Sequence, residues 1–576
     1  MRLDYKWRAA ITVSIGLFMA VLDNTIVSVA RPQMQAYFHT DLDTINWVST
    51  AYFLAQAAVI PITGYLSDLL GSKRVFLTAL AIFTIGSALC AVAPDEHLLI
   101  GFRVLQGIGG GVLFPIAFAI VFRVFPPAER GPAGAVIGVP VLLAPAFGPT
   151  IGGYLTTTFD WHAIFTINLP IGVLAFALAA LVLRGRDAER ATLGAAPVGR
   201  KRFDVLGLVL SMAGFTAVVY GISEASALKP DQTVRGWGDP SVAPFLIAGG
   251  VLLVAFFIAE LFVSDPVMDV RLFANYTFTT ANVLMWAISG FLFGSLFLLP
   301  IFFQQVQGKT PLESGELVIA QGLGAAISTV FAGRLYNKVG PRILAALGFA
   351  LVTAGTYGFT QLAVDSSGQS LQVWMVLRGL GLGLTNIPLQ TLALSVVSNR
   401  AMARASSLVN VMRQVFSAIG ITILTTYFVT QTSDYATPLV KSSAQQFGAA
   451  TAQSLSSGSP LDPTTPLGQL VGQCAAPFGP QAAQNQAAIQ QCVQQHIQQQ
   501  TAQATQAHLP QIVQQVFPAA ATHALNDTFL ITMIGCGIAI VLALFLGRDP
   551  SITAARRAAA TGEVVSEAPR PAMVAE

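Results

Sequence analysis

Arg8-AAITVSIGLFMAVL-Asp23-NTIVSVA-Arg31 places 22 residues between two arginines, almost all apolar, with one charge among them. A helix of about 20 apolar residues crosses the hydrocarbon core of a bilayer. A carboxylate inside it costs on the order of 3 kcal/mol to insert. An acid retained at that cost marks a functional position. The run therefore reads as a membrane-spanning helix with Asp23 as a working group.

The rest of the chain agrees. Of 576 residues 54% are hydrophobic and 10% charged, too few charges to cover a soluble protein of this size. A net charge of +3 gives no reason to expect a nucleic-acid partner. The basic start Met1–Arg8 leads into a full-length span with no cleavage site, the pattern of an uncleaved anchor. Hydropathy and breakers give about 14 apolar segments. They lie near 9–30, 46–66, 75–93, 98–122, 134–156, 163–183, 204–222, 243–263, 278–303, 314–334, 343–363, 372–397, 405–430 and 524–546. An even count puts both termini on one side. With the termini inside, 23 of the 31 Lys and Arg residues fall in cytoplasmic segments and 5 outside. That asymmetry makes both termini cytoplasmic and the segment from Arg184 to Arg202 a cytoplasmic link.

The chain repeats itself. Gly64-Tyr65-Leu66-Ser67-Asp68-Leu69-Leu70-Gly71-Ser72-Lys73-Arg74 closes the second segment, and Gly333-Arg334-Leu335-Tyr336-Asn337-Lys338-Val339-Gly340-Pro341-Arg342 closes the tenth. Arg103-Val104-Leu105-Gln106-Gly107 and Arg378-Gly379-Leu380-Gly381 open the fourth and twelfth, each followed by glycines and a proline (Pro115, Pro388). The expectation is an all-α membrane protein of two six-helix bundles, residues 1–183 and 276–547, with a link and two inserted helices over 184–275. A tail over 548–576 is expected to be disordered. Paired bundles around a midplane cavity are the architecture of alternating-access transporters.

These stretches resemble the major facilitator superfamily, and within it the 14-helix drug:proton antiporters of the Emr and Qac type. Leu22 to Pro32 is similar to that branch's first-helix motif, with Ser28 where asparagine is usual. Gly64 to Arg74 resembles the loop signature after helix 2, and Arg103 to Gly107 the helix-4 motif. Ala144 to Gly153 resembles the helix-5 antiporter motif, and Trp161 to Gly172 is typical of the branch. The resemblance implies proton-driven export of amphipathic compounds from the cytoplasmic (inner) membrane, with lipids and protons as the other partners. It implies no cofactor beyond the proton gradient.

Depth along the spans suggests roles. Asp23 lies about 22 Å into its helix at 1.5 Å per residue, and Arg103 enters from the outside to a similar depth. Desolvation penalises the Asp23 anion, so the two are expected to pair, either parting when Asp23 takes a proton or standing as a permanent pair that orders the helices. Asp68, near Lys73 and Arg74, reads as a gate latch or a static cap. Gly148, Pro149, Gly152 and Gly153 set small residues one turn apart, allowing close helix approach and bending; the family reading is a pivot. Gln56, Trp286, Gln321, Asn386 and Gln390 lie at midplane depths suited to varied amphipathic ligands or to interhelical hydrogen bonds. Arg378 and Arg413 fall in the second half, where no acid is clearly placed.

Residues 431–523 hold 21 glutamines and three charged residues, and fall outside the membrane on this topology. Gln481 to Gln515 is expected to be helical, with Pro510 its one strong breaker. Cys474 and Cys492 face an oxidising compartment, which permits a disulfide between them. The segment reads as a solvated cap or as a dock for a periplasmic adaptor and outer-membrane channel, as in Emr-type exporters. Gly308-Lys309-Thr310 lacks the upstream glycine of a phosphate loop. The six histidines are scattered without metal spacing, so neither an ATP-driven pump nor an intramembrane enzyme is expected. An exporter dedicated to one metabolite, lipid or antibiotic is the alternative, and a non-transporting receptor or scaffold a more distant one.

Overall fold

The computed structural model describes residues 4–185, 204–225, 235–457, 459–460, 462, 464–550 and 552–553. The basic link over 186–203 and the tail beyond 553 lie outside them. Helices run α1 Tyr5–Phe38, α2 Leu42–Leu70, α3 Ser72–Cys90, α4 Glu96–Val124 and α5 Arg130–Thr158. α6 is the span Ala163–Val182. Then come α7 Val205–Ala225, α8 Ala243–Phe262, α9 Tyr276–Ile301, α10 Pro311–Val339, α11 Pro341–Tyr357, α12 Gly368–Ser395 and α13 Met402–Leu455. A short α14, Pro466–Ala475, precedes α15, Gln486–Leu544. Among the described residues, 12 helices are long and apolar enough to cross a membrane. The fold is the all-helical one expected, while α9 and α12 lie outside that set of 12.

The polar ends of the helices start them. Asp41 caps α2 by accepting from the Thr44 N–H at 2.6 Å, and Asp95 caps α4 through the Leu98 N–H at 2.8 Å. Thr310 and Glu313 form a reciprocal capping box at α10. Helices outrun the apolar windows. α1 continues past Arg31 and Pro32, and Arg31 there donates to Asn46 Oδ1 at 2.9 Å.

The repeated glycines have two separate causes. Gly71 and Gly340, the second of each pair, turn the chain at φ 88° and 95°, a region that favours glycine. Gly64 and Gly333, the first of each pair, meet a helix of the opposite half. A Cβ on Gly64 would lie 2.6 Å from the Arg404 backbone in α13, and one on Gly333 2.7 Å from Ala135 in α5. The repeat in sequence is thus a repeat in packing.

The described residues group into two units, Met1–Tyr427 with Asn526–Glu576, and Phe428–Leu525. In the first, apolar residues from α1, α3, α4, α9, α12 and α13 share one large core, and a smaller one lies around Trp161 and Phe165. Helix α8 buries only Gly249, Phe256 and Glu260. Its exposed Ile247, Val251, Val254, Ile258 and Phe262 form a surface suited to lipid. In the second unit, Leu470, Cys474 and Val493 form a small core, and Cys474 and Cys492 are joined in a disulfide. Helix there begins at Gln486 and runs through Pro510, whose fixed φ a helix accepts when the bond lost at its nitrogen is tolerated. At the other end of the 431–523 segment, α13 continues to Leu455.

Candidate functional site

Helices α1, α2, α4 and α6 bring the first-half motifs together around Asp23. Its carboxylate is fully buried. Oδ2 accepts from Arg103 Nη1 at 2.6 Å. Oδ1 accepts from Gln106 Nε2 at 2.9 Å and from Asn168 Nδ2 at 2.7 Å. Arg103 is 1% exposed. Its Nε donates to the Val48 carbonyl at 3.0 Å and its guanidinium lies 4.0 Å over the Tyr52 ring. Asn168 also donates to Ser87 Oγ at 3.1 Å. Three donors on one carboxylate suit the anion, which is how a charge survives in this apolar surround.

The second half repeats the arginine without the acid. Arg378 is fully buried, and donates through Nη2 to Ser295 Oγ. Its Nε and Nη1 have no partner among the described residues. The Arg413 guanidinium reaches from α13 to lie 4.5 Å over Phe114 of α4.

The end of the bundle that carries both termini is joined across the halves. Asp68 Oδ1 accepts from Arg123 Nη2 at 3.2 Å and Oδ2 from Arg404 Nε at 3.0 Å. Arg123 Nε donates to the Asn399 carbonyl at 3.1 Å, and Arg130 Nη2 to Asn399 Oδ1 at 3.0 Å. Ser406 Oγ bonds the Pro115 carbonyl at 2.9 Å. Asn337, the repeat counterpart of Asp68, donates to the Ala128 carbonyl at 2.5 Å. Lys73 and Arg74 are not the partners of Asp68. The positive-φ turn at Gly71 starts α3 in a new direction, so Lys73 donates to the Ala180 carbonyl at 2.6 Å and Arg74 is exposed.

The α5 glycines face two neighbours. A Cβ on Gly148 would overlap the Thr25 side chain, two residues from Asp23. One on Gly152 would lie 3.2 Å from the Ile26 carbonyl oxygen. One on Gly153 would sit 3.5 Å from Leu312 of α10, an ordinary contact. Gly148→Ala is therefore expected to destabilise by roughly 1–3 kcal/mol through overpacking, and Gly153→Ala to melt with the wild type. Thermal unfolding in detergent checks both; equal effects would remove the assignment of Gly148 to the α1 contact.

The five midplane residues divide. Gln321 is 4% exposed and Gln390 1%. Gln321 Oε1 and both amide atoms of Gln390 have no partner among the described residues. Gln56 and Asn386 are half-buried. Trp286 stacks on Phe416 of α13 at 4.6 Å between centroids. Trp286 is thus part of a helix contact, while the two glutamines keep free polar atoms in the interior.

The site thus sits in a bundle of long apolar helices, with an ion pair buried in one half and side-chain bonds joining the two halves. Residues 13–421 match the family model described as Major Facilitator Superfamily. The chain belongs to that superfamily of transporters. It is 36% identical over 427 residues to the Multidrug resistance protein B homolog of Mycobacterium tuberculosis, covering 73% of this chain and 76% of that one. It is 30% identical over 434 residues to the Multidrug export protein EmrB of Escherichia coli, covering 75% and 82%. The Tetracenomycin C resistance and export protein of Streptomyces glaucescens is 28% identical over 470 residues, covering 81% and 85%. The human organic anion transporter MFSD10 superposes with a TM-score of 0.53 at 14% identity, over 74% of this chain and 95% of that one, a likeness of fold.

Proposed function

We propose that this protein is a proton-coupled antiporter that exports amphipathic drugs or toxic compounds across the cytoplasmic membrane by alternating access, with both termini in the cytoplasm. The observation that carries the reading is the Asp23 network: a fully buried carboxylate on α1 held by Arg103 and Gln106 of α4 and by Asn168 of α6. A proton on Asp23 cancels the charge that Arg103 answers. Arg103 keeps Val48 and Gln106 as acceptors, so α4 loses its ion pair with α1 without losing its fold. The α5 glycines pack on α1 at Thr25 and Ile26, next to that event, which supports their reading as a pivot.

The latch at Asp68 supports the second half of the cycle. With the halves joined at the terminus-bearing end, the cytoplasmic gate is closed and substrate leaves outward; release of Arg404 from Asp68 opens it. Multidrug relatives support a small-molecule cargo.

The test is transport in proteoliposomes. A pH gradient of either sign is imposed, and efflux of a fluorescent amphipathic cation and of an amphipathic anion is followed. Gradient-dependent movement of either supports the reading; movement indifferent to the gradient overturns proton coupling. Arg413 lies between the halves with no acid paired to it among the described residues. Arg413→Gln is therefore expected to favour the cation over the anion severalfold relative to the wild type, by removing a like charge from the path. An unchanged ratio would show that Arg413 does not face the cargo.

A further inference from the structure

The one buried acid on the lipid-facing helix α8 has no place in the cycle above. Glu260 is fully buried although its neighbours Ile258, Leu261 and Phe262 are exposed. Its Oε1 accepts from the Val267 N–H at 3.1 Å, and its Oε2 has no partner among the described residues. Across from it stands Asp204, the residue before α7. Asp204 Oδ1 accepts from the Gly207 N–H at 2.8 Å, and Oδ2 likewise has no partner there. Both carboxylates crowd the space where Gly207 lacks a side chain: a Cβ at that point would overlap Asp204 Oδ2 and lie 2.7 Å from Glu260 Oε1.

Other charges nearby are engaged elsewhere. Arg271 donates to the Leu261 and Val263 carbonyls. Arg404 donates to Asp68 and stands 4.0 Å from Asp265 in the turn after α8. Asp269 at the end of that turn adds another acid, its Oδ1 unpartnered among the described residues. Asp68 of α2 is held by Arg123 and Arg404. No cation among the described residues bonds Glu260 or Asp204.

We propose that Glu260 and Asp204 hold one exchangeable proton between them, and that this proton governs how the 263–269 turn bears on the Arg404–Asp68 latch. Two carboxylates in one buried space cannot both be ionised cheaply, and an unpaired buried oxygen carries its own desolvation cost. One proton removes a charge and supplies the O–H donor that the pair lacks. When it leaves, the Glu260 anion bonds the Val267 N–H more strongly, and a negative charge appears beside Arg404, competing with Asp68 for that guanidinium. The inserted helices thereby carry a second proton site, distinct from Asp23, at the gate. The link to the gate rests on the transport reading; the shared proton does not.

Dicyclohexylcarbodiimide adds to a protonated carboxyl group in apolar surroundings and leaves an N-acylurea detectable by peptide mass spectrometry. With the full-length protein in detergent, labelling of Glu260 is expected near pH 6 and to fall roughly tenfold per pH unit beyond the midpoint of the pair. Asp204→Asn, which removes the like charge, is expected to reduce Glu260 labelling severalfold near pH 8. Labelling absent at every pH, or indifferent to Asp204→Asn, overturns the shared proton. Protection by sodium ions at constant pH assigns the pair to a metal cation and equally overturns it. For the gate, spin labels at Lys73→Cys and Arg400→Cys report the terminus-side distance. It is expected to vary with pH in the wild type and not in Glu260→Gln. A variation that survives in Glu260→Gln overturns the link to the latch and leaves the antiport reading standing.

Discussion

Asp23→Asn is expected to abolish gradient-driven export while leaving an inserted, folded protein. The argument is one of charge. In the variant Arg103 keeps its Val48 and Gln106 contacts but faces no anion at 1% exposure. A buried charge left alone costs about 3–5 kcal/mol, so the melting temperature in detergent should fall. The amide oxygen introduced by the substitution still accepts a hydrogen bond, which softens the loss. The double variant Asp23→Asn/Arg103→Gln removes both charges and should recover the melting temperature without recovering export. Lost stability and lost coupling are thus separable. Export above the empty-liposome level by the double variant would remove Asp23 from the proton path.

Asp68→Ala is expected to have the next largest effect, on conformation rather than on proton exchange. Arg123 and Arg404, from opposite halves, converge on this one partly buried carboxylate. Without it two guanidinium groups face each other with no anion between them. Truncating one partner of such a pair costs on the order of 2 kcal/mol or more; about 2 kcal/mol shifts a two-state equilibrium roughly thirtyfold. Distances between spin labels at Lys73→Cys and Arg400→Cys should lengthen accordingly, and substrate should leak down its own gradient. An unchanged distance distribution would reduce Asp68 to a static cap.

Much of this was legible before any coordinates. The same spacing of a glycine, a polar residue and a second glycine occurs at Gly64, Asp68 and Gly71 and again at Gly333, Asn337 and Gly340. Both copies turn out to pack and to turn for the same reasons. The pairing of Asp23 with Arg103 followed from matched depth. What depth does not give is the rest of the shell. Gln106 lies one helical turn beyond Arg103 and faces the same way, a signal available in the sequence. Asn168 belongs to the Ile167 to Gly172 stretch, but nothing in it says that its amide crosses to α1. The partners of Asp68 are illegible for a different reason. Lys73 and Arg74 are near Asp68 along the chain, yet the Gly71 turn sends them away, while Arg123 and Arg404 arrive from 55 and 336 residues off. Proximity along the chain says nothing of partners brought in by distant helices. The long helices over 402–455 and 486–544 were underestimated because hydropathy windows stop where alanine- and glutamine-rich helix leaves the apolar register.

Every thiol in the chain is already accounted for. Cys474 and Cys492 are bonded to each other, and Cys90 and Cys536 are buried. A maleimide or nitroxide reagent offered to the native protein under non-reducing conditions therefore finds no exposed sulfur, and a single introduced cysteine becomes its sole accessible target. Conformational cycling can be followed with reporter probes in an otherwise wild-type background, without first replacing the native cysteines.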